Sequence, residues 1–235
     1  MVSSFTITRN LALIGPPGSG KGSYGRIFAK RWNVPHITVS NVLRQHSEHS
    51  LECGTLVDDE EVSDLLRQHL PKTPYLLDGF PRTLKQVHLM EDTWPSSLQI
   101  DAVVDLDVPK EVCKEKLMGR RLCTKCGGNY NVHAVHILGF NLPAQLPRDC
   151  DCNGEFFTTR PDDVGKVVEE RLDNHFRLTD PILDYFEKRG KLLRFTPYEG
   201  YDDVPKFHSA IESWLSEMGH ENTQDTSSTH SKVES

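Results

Sequence analysis

Short, continuous runs of apolar residues alternate with longer stretches in which apolar positions recur every three or four residues. "NLALIG" at 10–15 is such a run, followed by the helical pattern of "GRIFAKRW". "YLLDGF" (75–80), "AVVDLDV" (102–108), "KLLRFTP" (191–197) and "PHITV" (35–39) are four more. Between them, Val62, Leu65, Leu66 and Leu70 follow helical spacing, and so do Val204, Phe207, Ile211, Trp214, Leu215 and Met218. Strands without polar alternation are buried on both faces. The pattern therefore predicts an α/β fold with a parallel sheet covered by helices on each side.

Two segments break the alternation. From about 122 to 160 the chain is rich in Gly, Asn, Pro and Cys, which suggests a small insertion held by something other than its own core. After Gly219 the polar tail "HENTQDTSSTHSKVES" predicts disorder.

Composition narrows the partners. With 235 residues, a net charge of −7 and a pI near 5.9, the chain lacks the positive balance of a general nucleic-acid or membrane-surface binder. It has no apolar run long enough to span a bilayer, and no evident signal or transit peptide precedes the first strand. A cytoplasmic location is expected, with a mitochondrial or plastid one as the alternative. Four of the six cysteines (Cys123, Cys126, Cys150, Cys152) cluster, and in an intracellular chain clustering favours metal over disulfides. The pairs C-x2-C and C-x-C can supply four thiolates to a structural Zn²⁺, though the second pair is tighter than usual.

"GPPGSGKGS" fits the phosphate loop G-x-x-x-x-G-K through Gly15, Gly20 and Lys21, after a strand and before a helix. Its glycines let backbone N–H groups face a phosphate, and Lys21 reaches the β and γ oxygens. Gly22 follows the lysine where Ser or Thr is usual, and Ser23 comes one place later. "LLDGFPRT" sets Asp78 at a buried strand end, where a carboxylate holds Mg²⁺ through water, with Arg82 after a Gly-Phe-Pro corner. In "RPDDVGKVVEERLDNHF", Val164, Val167, Val168, Leu172 and Phe176 make an apolar stripe that includes Arg171. An inward arginine needs an anion or a carboxylate, and Arg160 shares its side if the helix reaches back that far. Lys21, Arg44, Arg82, Arg120, Arg160 and Arg171 together form a cationic set suited to phosphoryl transfer.

These motifs resemble the adenylate kinases, from about Asn10 to Met218: "GPPGSGKG", "LLDGFPRT" with Gln86, "GRRLC" with "CGGNY", and "RPDD…VVEERL". The resemblance implies a P-loop core with a five-stranded parallel sheet, a small helical AMP-binding arm and a zinc-ribbon lid. The expected divisions are core at 1–38, AMP arm at 39–68, core at 69–121, lid at 122–160 and core at 161–219, with the tail at 220–235. It implies reversible, Mg²⁺-dependent transfer from ATP to AMP, giving two ADP, by a monomer that binds neither nucleic acid nor membrane.

By the same resemblance Gly18, Ser19, Gly20, Lys21, Gly22 and Ser23 cradle the donor phosphates, and Asp78 orders the water around Mg²⁺. Val39, Arg44, Thr55, Leu56, Val57, Gly79, Phe80, Pro81, Arg82 and Gln86 form the AMP site, with Gln86 reading the base. Arg120, Asn129 and Tyr130 close over ATP, the Gly200 region approaches the donor adenine, and Arg160 and Arg171 bridge the nucleotides. Lys21, Arg82, Arg120, Arg160 and Arg171 are the expected catalytic residues. Val39 stands where the family usually has Thr, and Lys116 where an arginine often packs on the donor base. A GTP donor or another monophosphate acceptor therefore stays open. So, in a different class, does a zinc-ribbon module holding nucleic acid, which the acidic balance disfavours.

Overall fold

The computed structural model describes residues 5–46, 57–147 and 154–224. Five parallel strands form the central sheet: β1 (Leu11–Ile14), β2 (His36–Thr38), β3 (Leu76–Asp78), β4 (Ala102–Leu106) and β8 (Leu192–Phe195), in the order β2-β3-β1-β4-β8. Each of the five apolar runs supplies one strand. The pleat sends alternate side chains to opposite faces. Ala12, Ile14, Leu77 and Val103 pack on one side, under α2 (Val39–His46), α3 (Asp59–His69), α4 (Leu84–Thr93) and α6 (Gly165–Glu187). Leu11, Leu13, Leu76, Val104 and Leu106 pack on the other, under α1 (Lys21–Trp32) and α7 (Val204–Gln224).

A second, three-stranded antiparallel sheet, β6 (Asn129–Asn131), β5 (Arg120–Cys123) and β7 (Phe157–Thr158), makes the inserted flap. Its base is fastened to the core by Val135, Phe140 and Leu142, which pack with Val108, Val112 and Leu117 around α5 (Lys110–Met118). Among the described residues, no helix is long and apolar enough to cross a membrane.

Three expectations need correcting. α7 continues to Gln224, so 220–224 are helical and the predicted disorder does not begin at Gly219. α6 begins at Gly165, so Arg160 is not on that helix. Val164, counted in the apolar stripe, is 57% exposed because it precedes the first turn and is not held by the helix against the core.

Candidate active site

The phosphate loop joins β1 to α1 with Gly15, Gly18 and Gly20 at φ of 142°, 89° and 105°. At Gly18 an added Cβ would lie 2.8 Å from the Cys113 carbonyl, so glycine is needed there for space as well as conformation. No side chain caps α1, and its first turn carries no acidic residue, which leaves the positive end of the helix facing the loop. The Lys21 ammonium donates to the carbonyls of Gly15 (2.5 Å) and Pro16 (2.9 Å). Burial pulls its pKa down to about 8, against the favourable charge of Asp78. Ser19 Oγ is buried inside the loop with no hydrogen-bond partner among the described residues. Ser23 and Gly22 lie in the first turn of α1.

Asp78 ends β3, in register with Leu13 of β1 and Thr38 of β2, and the carboxylate faces Lys21. His36 Nε2 is 3.9 Å from it. After β3, Gly79 at φ 91° lets Arg82 fold back, and Arg82 Nε donates to the Gly79 carbonyl at 2.8 Å. Phe80 and Pro81 are buried at this corner, across a cis peptide. Arg82 reaches solvent, yet surrounding protein and the nearby Arg171 lower its pKa while Asp78 opposes them.

The remaining arginines continue the same cationic arc. Arg120 binds Asp163 through Nε (2.6 Å) and Nη2 (2.5 Å). Arg171 Nη1 lies 2.7 Å from Asp162 Oδ2 and 3.6 Å from Asp163 Oδ1. The inward arginine expected from the stripe thus has carboxylate partners. The pKa of Arg160 is lowered by burial first, then by Arg120 and more weakly by Arg44, and its Nε is buried without a hydrogen-bond partner among the described residues. Lys116 Nζ points to the loop, 3.5 Å from the Ser19 carbonyl.

Lys21, Asp78, Arg82 and Arg171 therefore converge, with Arg160, Arg120 and Arg44 beside them. The other expected residues make contacts of their own within the protein. Gln86 is buried: its Oε1 accepts from the Arg82 N–H at 2.7 Å and its Nε2 donates to Asp59 at 2.7 Å, so its amide is committed within the protein. The Val39 side chain is 3% exposed in the core, and Val57 packs on the same cluster. Asn129 is exposed on the flap, and Tyr130 stacks on Phe157 with its hydroxyl 3.4 Å from Cys126 Sγ. Gly200 sits across the loop helix, its carbonyl accepting from Tyr24 at 2.8 Å.

Thr55, Leu56, Cys150 and Cys152 lie outside the described residues. Cys123 is buried and Cys126 exposed, on a turn where the Gly128 N–H meets Cys126 Sγ at 3.4 Å. No group of three or more His, Cys, Asp or Glu is placed to hold a metal among the described residues.

The model of one family, described as adenylate kinase, matches residues 13–191. This stretch spans the loop, the arginine arc and the flap. The chain belongs to the adenylate kinase family. It is 37% identical over 225 residues to an adenylate kinase of Methanothrix thermoacetophila, covering 89% of this chain and 99% of that one. An adenylate kinase of Moorella thermoacetica is 36% identical over 217 residues, covering 86% and 95% of the two chains. A probable chloroplastic adenylate kinase 6 of Oryza sativa subsp. japonica is 36% identical over 221 residues, covering 84% and 75%. The adenylate kinase fold and the phosphotransferase activity, with ATP, AMP and ADP as the nucleotides, follow for this chain.

Sequence reasoning missed Asp59, Asp162 and Asp163. The acidic pair was visible in "RPDD", between two arginines that need counter-charges. Asp59 carries no such signal, because it meets Gln86 only through the packing of α3 on α4.

Proposed function

We propose that the arc from Lys21 to Arg160 carries the reversible transfer of the terminal phosphoryl group of ATP to AMP. The observation that supports this most directly is the convergence of Lys21, Arg82 and Arg171 on the space beside Asp78. A phosphate oxygen of AMP forms a bond to the γ phosphorus while the bond from that phosphorus to the β–γ bridging oxygen breaks, leaving ADP on each side. The attacking phosphate is already largely ionised at neutral pH, so no general base is needed.

Catalysis then rests on holding the two phosphates in line and neutralising the group in flight. Lys21 exchanges its loop carbonyls for the β and γ oxygens. Arg82 and Arg44 hold the AMP phosphate, and Arg120, Arg160 and Arg171 span the junction. Ser19 Oγ and Arg160 Nε, buried without a partner among the described residues, are polar atoms of the kind that an arriving phosphate satisfies. Asp78, a carboxylate beside Lys21 whose side chain keeps 13% of its surface exposed, suits a water-mediated Mg²⁺, which would neutralise charge on the donor oxygens.

Purified protein given Mg-ATP and AMP should form ADP, and Lys21→Met should lose at least a hundredfold in rate. A donor-by-acceptor matrix decides between ATP and GTP. Lys116, with its ammonium turned to the loop, is the reason to include GTP.

We further propose that Cys123 and Cys126, with Cys150 and Cys152, hold a structural Zn²⁺ that stiffens the flap. The hydrogen bond from Gly128 N–H to Cys126 Sγ is of the kind that stabilises a thiolate ligand. Metal analysis of protein purified without chelator should give about one zinc per chain. Less than about half an equivalent would remove this part of the reading.

A further inference from the structure

Histidine 175 lies one turn after Arg171 on α6 and has no part in the scheme above. Its Nδ1 is 3.1 Å from the hydroxyl of Thr179, one turn further on, and its ring meets Phe176 edge-on. Thr179 is only 4% exposed, and this is the hydrogen bond its side chain makes. A buried hydroxyl proton needs an acceptor, and Nδ1 is the acceptor in reach. Thr179 therefore donates, the imidazole proton sits on Nε2, and the tautomer is fixed from behind.

Arg171, one turn back on α6, belongs to the cationic set, and the charges that act on the ring are cations as well. Lys21 of the phosphate loop and Arg82 of the β3–α4 corner are the charged groups that act on His175, and both disfavour its protonation. Burial is the larger effect, and together they bring its pKa down to about 3. The ring is therefore neutral at working pH. Nε2 makes no hydrogen bond among the described residues and is not sealed from solvent. A donor fixed beside two cations, with nothing to accept from it, is complementary to an anion.

We propose that His175 donates a hydrogen bond through Nε2–H to a phosphoryl oxygen of the nucleotides gathered between Lys21 and Arg82, with Thr179 as its positioning residue. This rests on the reading that the phosphates gather there. A neutral donor adds an oriented hydrogen bond without adding charge, so it fixes direction where the lysine and arginines supply neutralisation.

The test compares His175→Phe, which keeps a ring without the donor, and His175→Gln, whose amide nitrogen can take the place of Nε2. With Mg-ATP at saturation, kcat/KM for AMP should fall about tenfold or more in the Phe variant, as for loss of a hydrogen bond to a charged group. The Gln variant should fall less than threefold. In the parent protein, nitrogen NMR of the histidines should show His175 as the Nε2–H tautomer, with its resonance shifting when Mg-ADP is added. A Phe variant within twofold of the parent overturns the proposal. So do a Gln variant as impaired as Phe, or an Nδ1–H tautomer in the Mg-ADP complex. If the Phe variant does not fold, the Gln variant and the NMR spectrum decide. Lys21→Met separates the underlying reading: were it as active as the parent, that reading would fail and this proposal with it.

Discussion

Arg120 and Asp163 form a two-pronged ion pair, Nε to Oδ2 at 2.6 Å and Nη2 to Oδ1 at 2.5 Å, across the joint between the flap and α6. The Asp163 side chain is fully buried and that of Arg120 is 15% exposed. Asp163 also attracts Arg171 at 3.6 Å. One carboxylate thus restrains two of the arginines assigned to phosphate, and it joins the first strand of the flap to the segment leading into α6.

Removing that carboxylate should be costly. Asp163→Ala leaves the Arg120 guanidinium shielded from water without its counter-charge, and breaking one side of a buried pair typically costs about 3–5 kcal/mol. Urea unfolding should show a loss in that range. The KM for ATP should rise as well, because Arg120 loses the contact that aims it. A variant as stable as the parent would mean that the guanidinium finds solvent easily, and that the joint is looser than its geometry implies.

Lys21 sets stability against activity. Its pKa is about 8 in the folded chain against 10.5 ordinarily, because burial disfavours the ammonium. A depressed lysine weakens the fold at low pH, where the folded state must hold the charge, and the penalty fades as pH rises from about 8 to about 10.5. Lys21→Met should therefore melt higher than the parent at pH 7 in the absence of nucleotide. The gap should close toward pH 10, while activity is lost at every pH. Melting curves across this range read the effect directly.

The sheet was legible because each buried parallel strand leaves a run such as "AVVDLDV", and the phosphate loop because its glycines sit between a strand and a helix. The arginines were legible as residues but not as an arrangement. Arg160 precedes α6 instead of riding on it, and no spacing rule places a loop residue beside Arg120. The commitment of Gln86 to Asp59 joins residues 27 positions apart, and His175 becomes notable only once the fold brings α6 up to Lys21. Long-range pairing of this kind leaves no periodic trace.

Asp105 gives a second pH-dependent expectation of opposite sign. It lies on β4, 5% exposed, opposite Arg194 of β8, and its pKa rises to about 6 from 3.8 chiefly through burial, with Asp107 adding to it. A carboxyl whose folded pKa is raised favours the fold fully below about pH 3.8, and that advantage is lost as pH climbs through about 6. Asp105→Asn should thus gain stability relative to the parent at pH 8, on the order of 1–3 kcal/mol, and little or none at pH 4. Denaturant unfolding at the two pH values checks it. An equal effect at both would assign the change to packing and not to the charge.

Asp59 holds together the part of the site proposed to take the acceptor. Its Oδ2 accepts from Thr83 at 2.8 Å, the residue whose side chain caps α4, and its Oδ1 accepts from Gln86 at 2.7 Å. Gln86 in turn fixes the backbone N–H of Arg82 at 2.7 Å, so the carboxylate on α3 reaches Arg82 through one amide. Asp59→Ala should leave the P-loop and Lys21 untouched and disturb only this relay. The expected signature is a KM for AMP raised about tenfold, with the KM for ATP within twofold and kcat changed much less, as for loss of uniform binding. Asp59→Asn keeps one acceptor oxygen and should recover part of the loss. If both variants lower kcat and leave the KM for AMP alone, Asp59 acts on the chemical step, and the route through Gln86 to Arg82 is not how it does so.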